Sequence, residues 1–387
     1  MQLTIVGIEN QIPIPKDIAG KILLFAAPLL FSFLTSCIPV KAIFLGGPDA
    51  KDLKRSPYNT IEGSPNCFQF EYADPEDFDV KVNDWTKDIP YFLTLDEIAE
   101  SHPVRSFLVI QNDSVKYEYY RDDLDSESVH PSYSIAKSFT STLLGIALEE
   151  GLIKSLDDSV LTYIPELKTI ERSDELTIRH LLNHTSGFKP GLILDINLYY
   201  GSNILRQFKK IEIVTTPGTK QEYINVNTQL IGIILNRVTD GSLSSYMEKK
   251  IWKPIQACSG AIWSTDKKNE LEKAFCCFGA TALDYGKLGR LFVNEGSWDG
   301  TQLISKEWFA QSIKRDTTEG SSWNYNNSWH IGLKEYGDFM AIGLYKQHIY
   351  INPKKNLIVV LLNDKDNKLL AERINWWYVF RQIADQM

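Results

Sequence analysis

Ser132-Tyr133-Ser134-Ile135-Ala136-Lys137-Ser138-Phe139-Thr140 places a serine three residues ahead of a lysine at the start of a helical segment. Residues three apart share a helix face, so the Lys137 amine can reach the Ser134 hydroxyl. A neutral amine there can take the hydroxyl proton and leave an alkoxide nucleophile. The helix is predicted to run to about Glu150. Ile135, Phe139, Leu143, Ile146 and Ala147 fall on one face, and Gly151 is a natural stop. A serine and lysine at this spacing occur often by chance, so their company in the chain decides the reading.

The second element is Tyr223-Ile224-Asn225. In an extended segment a Tyr and an Asn two residues apart face the same way. A tyrosinate beside a lysine ammonium can act as a base, and the Asn amide can hold a substrate carbonyl or the lysine itself. Taken alone, the tripeptide is more simply a tyrosine buried in a loop.

Taken in order, the two elements resemble the serine beta-lactamase and penicillin-binding-protein superfamily. The likeness is to its Tyr-x-Asn branch of class C beta-lactamases, esterases and nylon-oligomer hydrolases. It covers roughly residues 76 to 387. It includes Leu181-Leu182-Asn183-His184-Thr185-Ser186-Gly187-Phe188 and Pro217-Gly218. Downstream it includes Gly289-Arg290-Leu291 and Trp298-Asp299-Gly300. The slot of the family's Lys-Thr-Gly strand is read as Ala341-Ile342-Gly343-Leu344, where only the glycine matches.

The resemblance implies that Gly343 lets the strand pass close to substrate, with the Leu344 and Ser134 N–H groups forming an oxyanion hole. It implies Ser134, Lys137 and Tyr223 as catalytic residues, and Asn225, Gly343 and Leu344 as substrate-binding. Loss of the strand lysine and threonine points away from penicillin and toward an ester or amide substrate lacking the drug's carboxylate. The alternatives are a DD-peptidase or beta-lactamase, and a non-catalytic binding lipoprotein on the same fold. No metal, cofactor or protein partner is implied.

The expected fold is α/β (α+β): an antiparallel sheet built from both ends of the domain, flanked by helices, with an inserted all-helical region, as in the beta-lactamase/transpeptidase fold. Phe107–Gln111 and Val115–Tyr120 read as a hairpin across Asn112-Asp113-Ser114, and Leu357–Leu362 as a buried strand. Thr94 and Glu97 form a capping-box pattern. A closing helix is expected over Leu369–Ala384.

The 387 residues include 18 Phe, 18 Tyr and 9 Trp, enough for a sizeable core. A net charge of −8 with mixed signs argues against a nucleic-acid binder. Residues 1–37 read as a signal peptide: lysines, then the apolar run Ile22–Leu34, then Thr35-Ser36-Cys37. Leu34-Thr35-Ser36-Cys37 resembles a lipobox, with Cys37 the lipidated residue. The expectation is therefore an exported, membrane-anchored lipoprotein on the periplasmic side or outer surface. Residues 38–75 read as a tether and 76–387 as the hydrolase domain. Cys67, Cys258, Cys276 and Cys277 are expected to be buried free thiols. His184 is read as a turn histidine bonding local backbone, His348 as structural and Asp284 as a helix cap.

Overall fold

The computed structural model describes residue 38 and residues 45–74, 78–83, 92–365 and 374–387. The leader, Cys37 and the first residues of the expected closing helix lie outside them. The chain divides into two compact units, Met1–Pro48 and Asp49–Met387. All that follows concerns the second. Among the described residues, no helix is long and apolar enough to cross a membrane.

The main sheet has eight strands among the described residues. They are β1 (Glu71–Tyr72), β2 (Val104–Gln111), β3 (Ser114–Tyr120), β4 (Tyr325–Asn326), β5 (Trp329–Ile331), β6 (Phe339–Gly343), β7 (Gln347–Asn352) and β8 (Leu357–Asn363), in the spatial order β4-β5-β6-β7-β8-β2-β3-β1. The expected union of both ends of the domain occurs at the β8–β2 pair, where Val359 faces Val109. All neighbours are antiparallel except β1, which runs parallel to β3. The β2–β3 hairpin turns on Asn112 and Asp113, both at positive φ (51° and 59°). Two such residues in a two-residue loop match the right-handed twist of the strands.

Alternation sorts the sheet's two faces. Phe107, Val109, Tyr350, Leu357, Val359 and Leu361 pack with Trp376, Val379, Phe380 and Ile383 of the closing helix, Trp376–Gln386. Leu108, Ile110, Ile349, Ile351, Ile358 and Val360 face the other way, into the larger core. That core contains helix α1 (Ile135–Glu149), buried from Ile135 through Ala147. A helix enclosed on all sides needs partners for its polar side chains. Thr140 donates to the Ala274 carbonyl at 2.8 Å and Ser138 to the Ser328 carbonyl at 2.7 Å.

The segment between β3 and β4 is mainly helical, as expected, but it also carries short strands. Ala261–Ser264, Phe278–Ala280 and His130–Pro131 form a four-stranded sheet with Tyr58–Ile61. That last strand corrects the tether expectation. From Asp49 onward the chain is part of the folded unit, through the Tyr58–Ile61 pairing, β1 and the Cys67–Cys258 disulfide. Its turn-rich composition concealed strands too short to show a pattern.

The thiol expectation is likewise corrected, because Cys276 and Cys277 also pair, with each other. Asp284 is not the cap of its helix, Ala282–Val293. Thr281 is, and the Asp284 carboxylate instead holds the Cys258 and Ser259 N–H groups and Lys287. Two of the motifs quoted above meet in a structural contact. The Arg290 guanidinium lies 4.2 Å from the Trp298 ring and 3.0 Å from Asp299, and it also pairs with Asp113 on the hairpin.

The Cys67–Cys258 bond joins residues 191 apart in sequence. Closing so long a loop restricts the unfolded chain. Replacing both cysteines with serine should lower the unfolding free energy by about 2–4 kcal/mol. A urea midpoint equal to the parent's would show that this bond contributes nothing.

Candidate active site

Ser134 sits at the N-terminal cap of α1, where the helix dipole favours developing negative charge. The residue before it, Tyr133, is held at φ 44°, a left-handed conformation that bulky residues rarely adopt. Tyr133 is buried edge-on against Tyr345, which maintains this turn. The Ser134 side chain faces a cleft of about 480 Å³.

Lys137 is 1% exposed. Its Nζ lies 2.9 Å from each of three oxygens: Ser134 Oγ, Asn225 Oδ1 and the Phe275 carbonyl. Burial lowers its pKa to about 7, and the Asp195 carboxylate pushes it back upward. The desolvated site disfavours the ammonium and brings the neutral amine within reach near pH 7.

Asn225 is not in an extended segment, as the sequence reading assumed. It is the first residue of helix α3 (Asn225–Val238), and Tyr223 lies in the loop just before it. The two still converge on Lys137. The Tyr223 ring centroid is 4.8 Å from Nζ. Burial of the hydroxyl pushes its pKa up, and the nearby Ser134 side chain opposes this. Tyr223 is also 48% exposed on its cleft side, so solvent screens part of that push.

His184 supports Tyr223 from behind. The two rings stack at 4.5 Å with 19° between planes. Nδ1 of His184 accepts from the Ile224 N–H at 3.1 Å, which leaves the proton on Nε2. The histidine does bond backbone, but 40 residues away rather than within its own turn, because the turn residue is itself left-handed (φ 57°). Burial lowers its pKa to about 3, so it is neutral at physiological pH. His348 is buried against Trp376 and Phe380 and lies away from the cleft, as expected of a structural residue.

The third wall is the end of β6. Ile342, Gly343 and Leu344 line the cleft opposite Tyr223. A Cβ on Gly343 would overlap the Ser132 carbonyl, so only glycine lets the strand pass this close to the Ser132–Ser134 turn. Among the aromatic residues of this region, Tyr325 lines the cleft. Trp329 is buried against Phe292, and Trp323 stacks on Arg315 at the surface.

Sequence reasoning missed His330 on β5, which also lines the cleft and whose pKa burial lowers to about 4. It missed Asp195 as well, on helix α2 (Leu192–Tyr200), whose Oδ1 lies 3.0 Å from Asn225 Nδ2. A lone carboxylate within Leu192-Ile193-Leu194-Asp195-Ile196 was a readable signal, since a charge in an apolar run needs a partner.

Comparison with known proteins gives the family. The Beta-lactamase family profile matches residues 95–382, well over half of the chain. The chain belongs to the beta-lactamase family. It is 22% identical over 305 residues to the 6-aminohexanoate-dimer hydrolase of Paenarthrobacter ureafaciens, covering 70% of this chain and 74% of that one. A solved Bacillus anthracis structure, provisionally assigned as a 6-aminohexanoate-dimer hydrolase, superposes with a TM-score of 0.74 at 24% identity. That match covers 86% of this chain and 91% of the other. A family VIII carboxylesterase superposes at 0.56 with 17% identity, over 71% and 90% of the two chains. The expected fold and superfamily are thus correct, and the chain is a hydrolase of the beta-lactamase fold.

Gly343→Ala should leave the far-UV circular dichroism unchanged while moving the end of β6 away from Ser134. A loss of roughly 10–100-fold in kcat/KM is expected, the size of effect that small misplacements produce. Parent-like kinetics would mean that the close approach is unimportant.

Proposed function

We propose that this protein is a serine hydrolase that cleaves an uncharged ester or amide through an acyl-enzyme on Ser134. The observation that carries the reading is the set of acceptors around Lys137. A neutral amine has two N–H bonds and one lone pair. Asn225 Oδ1 and the Phe275 carbonyl are acceptors only, and they take up the two N–H bonds. The lone pair is left for Ser134, whose Oγ lies 2.9 Å from Nζ and can pass its proton there.

Lys137 accepts the serine proton as Ser134 Oγ attacks the substrate carbonyl. The oxyanion is held by the N–H groups of Ser134 and Leu344, each such donor typically contributing about 3 kcal/mol. The proton on Lys137 passes through the Tyr223 phenol to the leaving oxygen or nitrogen. The raised pKa of Tyr223 favours its protonated form, so it relays protons and Lys137 is the base. In deacylation the same groups act in reverse on water, which releases the acid and restores the Ser134 hydroxyl.

The cleft walls support an uncharged substrate. Among the described residues lining it are Gln221, Ser322, Asn324, Tyr325, Ile342 and Leu344, with no lysine, arginine, aspartate or glutamate. A penicillin carboxylate would find no cation there. The relatives are named for amide and ester hydrolysis, which fits the same reading. We further propose an exported protein, anchored through lipid on Cys37. The two disulfides support an oxidising compartment.

Intact-mass spectrometry after incubation with a fluorophosphonate, a p-nitrophenyl ester and a penicillin tests the activity. We expect an adduct with the first, turnover of the second and no stable adduct with the third. Ser134→Ala should abolish both adduct and turnover. A stable penicillin adduct would move the reading to cell-wall chemistry, and a fully active Ser134→Ala would overturn it. The pH profile gives a second test. Lys137 must be neutral to act, so kcat/KM should rise as pH climbs through about 7 and level off above. A rate that falls through this range would exclude Lys137 as the base.

A further inference from the structure

One end of the Asn225 carboxamide faces Lys137 and the other faces Asp195. Oδ1 accepts from Lys137 Nζ at 2.9 Å, and Nδ2 donates to Asp195 Oδ1 at 3.0 Å. The two ends of an amide are nearly identical in shape, so half a turn about the side chain exchanges an acceptor for a donor. Lys137 needs the acceptor. A reversed amide would present an N–H to the lysine, where it would either compete with Ser134 for the lone pair or repel an ammonium. A carboxylate accepts and cannot donate, so it permits only one orientation.

We propose that Asp195 is a positioning residue that acts through Asn225, fixing the carboxamide with its oxygen toward the Lys137 amine. The inference rests on the reading of Lys137 as the general base. Asp195 is supplied by α2, whose Leu194 and Leu198 are buried and hold the helix against the core. It is half-buried, and nothing in the chemistry above uses it directly.

Its charge has a second consequence for the same amine. The titratable groups facing Lys137 are Tyr223 from the loop before α3, His184 from its turn, His330 from β5 and Asp195 from α2. The two histidines are neutral through burial and the phenol is protonated. Asp195 is thus the anion of the set, and it partly opposes the effect of burial on Lys137. Orientation and charge are separable by substitution. An asparagine at 195 still offers an oxygen to Asn225 Nδ2 but carries no charge, whereas a leucine offers neither.

The test compares Asp195→Asn and Asp195→Leu in the full chain, with ester turnover measured across pH. The Lys137 amine is titrated separately by NMR of ¹³Cε-labelled lysine, assigned through Lys137→Arg. Asp195→Leu should lose on the order of 10–100-fold in kcat with little change in KM, as expected for a misdirected base. Its acid limb and its NMR midpoint should both move to lower pH. Asp195→Asn, whose amide can accept from Asn225 but can also donate, should recover only part of the rate while its limb and midpoint stay displaced. If the leucine variant does not fold, the asparagine variant decides the matter: a lowered rate with a displaced midpoint supports the proposal, and a parent-like rate overturns it.

Parent-like rates and midpoints in both variants would overturn the proposal. So would equal loss of rate in both with an unmoved midpoint, the signature of a merely structural residue. Turnover that survives Ser134→Ala would overturn the hydrolase reading instead. The NMR midpoint would still report on Asp195, since it requires no catalysis.

Discussion

An amine nearly sealed from water is the constraint on which this site depends. Removing a lysine ammonium from solvent costs several kcal/mol unless its protons find acceptors. Lys137 meets that condition with three oxygens from separate parts of the chain: its own helix, the start of α3, and the Phe275 loop. The last of these is firmly braced. Thr140 donates to the Ala274 carbonyl, the Trp263 indole donates to the Cys276 carbonyl, and Cys276 is tied to Cys277. A backbone carbonyl held from several sides is a fixed acceptor, and a fixed acceptor keeps the lysine lone pair aimed in one direction.

Two neighbouring groups are driven apart by the same burial. Desolvation lowers the lysine and raises the tyrosine, because it disfavours whichever form is charged. The result is a neutral base beside a protonated phenol. In the proposed mechanism, proton transfer between serine, lysine and leaving group would then avoid a charged ground state. The stacked His184 holds the phenol ring in place without adding charge. A charged imidazole there would repel the lysine proton at the step that needs it.

What the sequence made legible was what is encoded locally. The α1 pattern, the β2–β3 hairpin, the strand β8 and the Thr94–Glu97 capping box all depend on residues close in the chain, and all are present. Ser134 and Lys137 could be paired from helix geometry alone. What stayed hidden depends on distant partners. Asn225 appeared extended because the start of α3 is marked by no capping side chain. Asp195 has a role only because α2 packs beside α3. Tyr58–Ile61 is a strand only because Ala261–Ser264 lies next to it. The disulfides joined cysteines whose pairing no spacing revealed.

On the proposed reading, the placement of charge accounts for a preference for neutral substrates. Here the ionisable machinery lies behind Ser134, with Lys137 and Asp195 joined through an amide, and the cleft in front is uncharged. A cationic strand in front would add binding energy for an anionic substrate but would also cost desolvation with any other. With Ala341 and Ile342 in that slot the cost is absent, and on the proposed reading shape and the neutral groups of Gln221, Ser322 and Asn324 would select the substrate. On the proposed mechanism, stabilisation of the transition state would fall to fixed dipoles, meaning the N-terminus of α1 and backbone N–H groups. These need no reorganisation as charge develops. On the proposed reading, an uncharged cleft of this kind would discriminate strongly against a buried, unpaired charge.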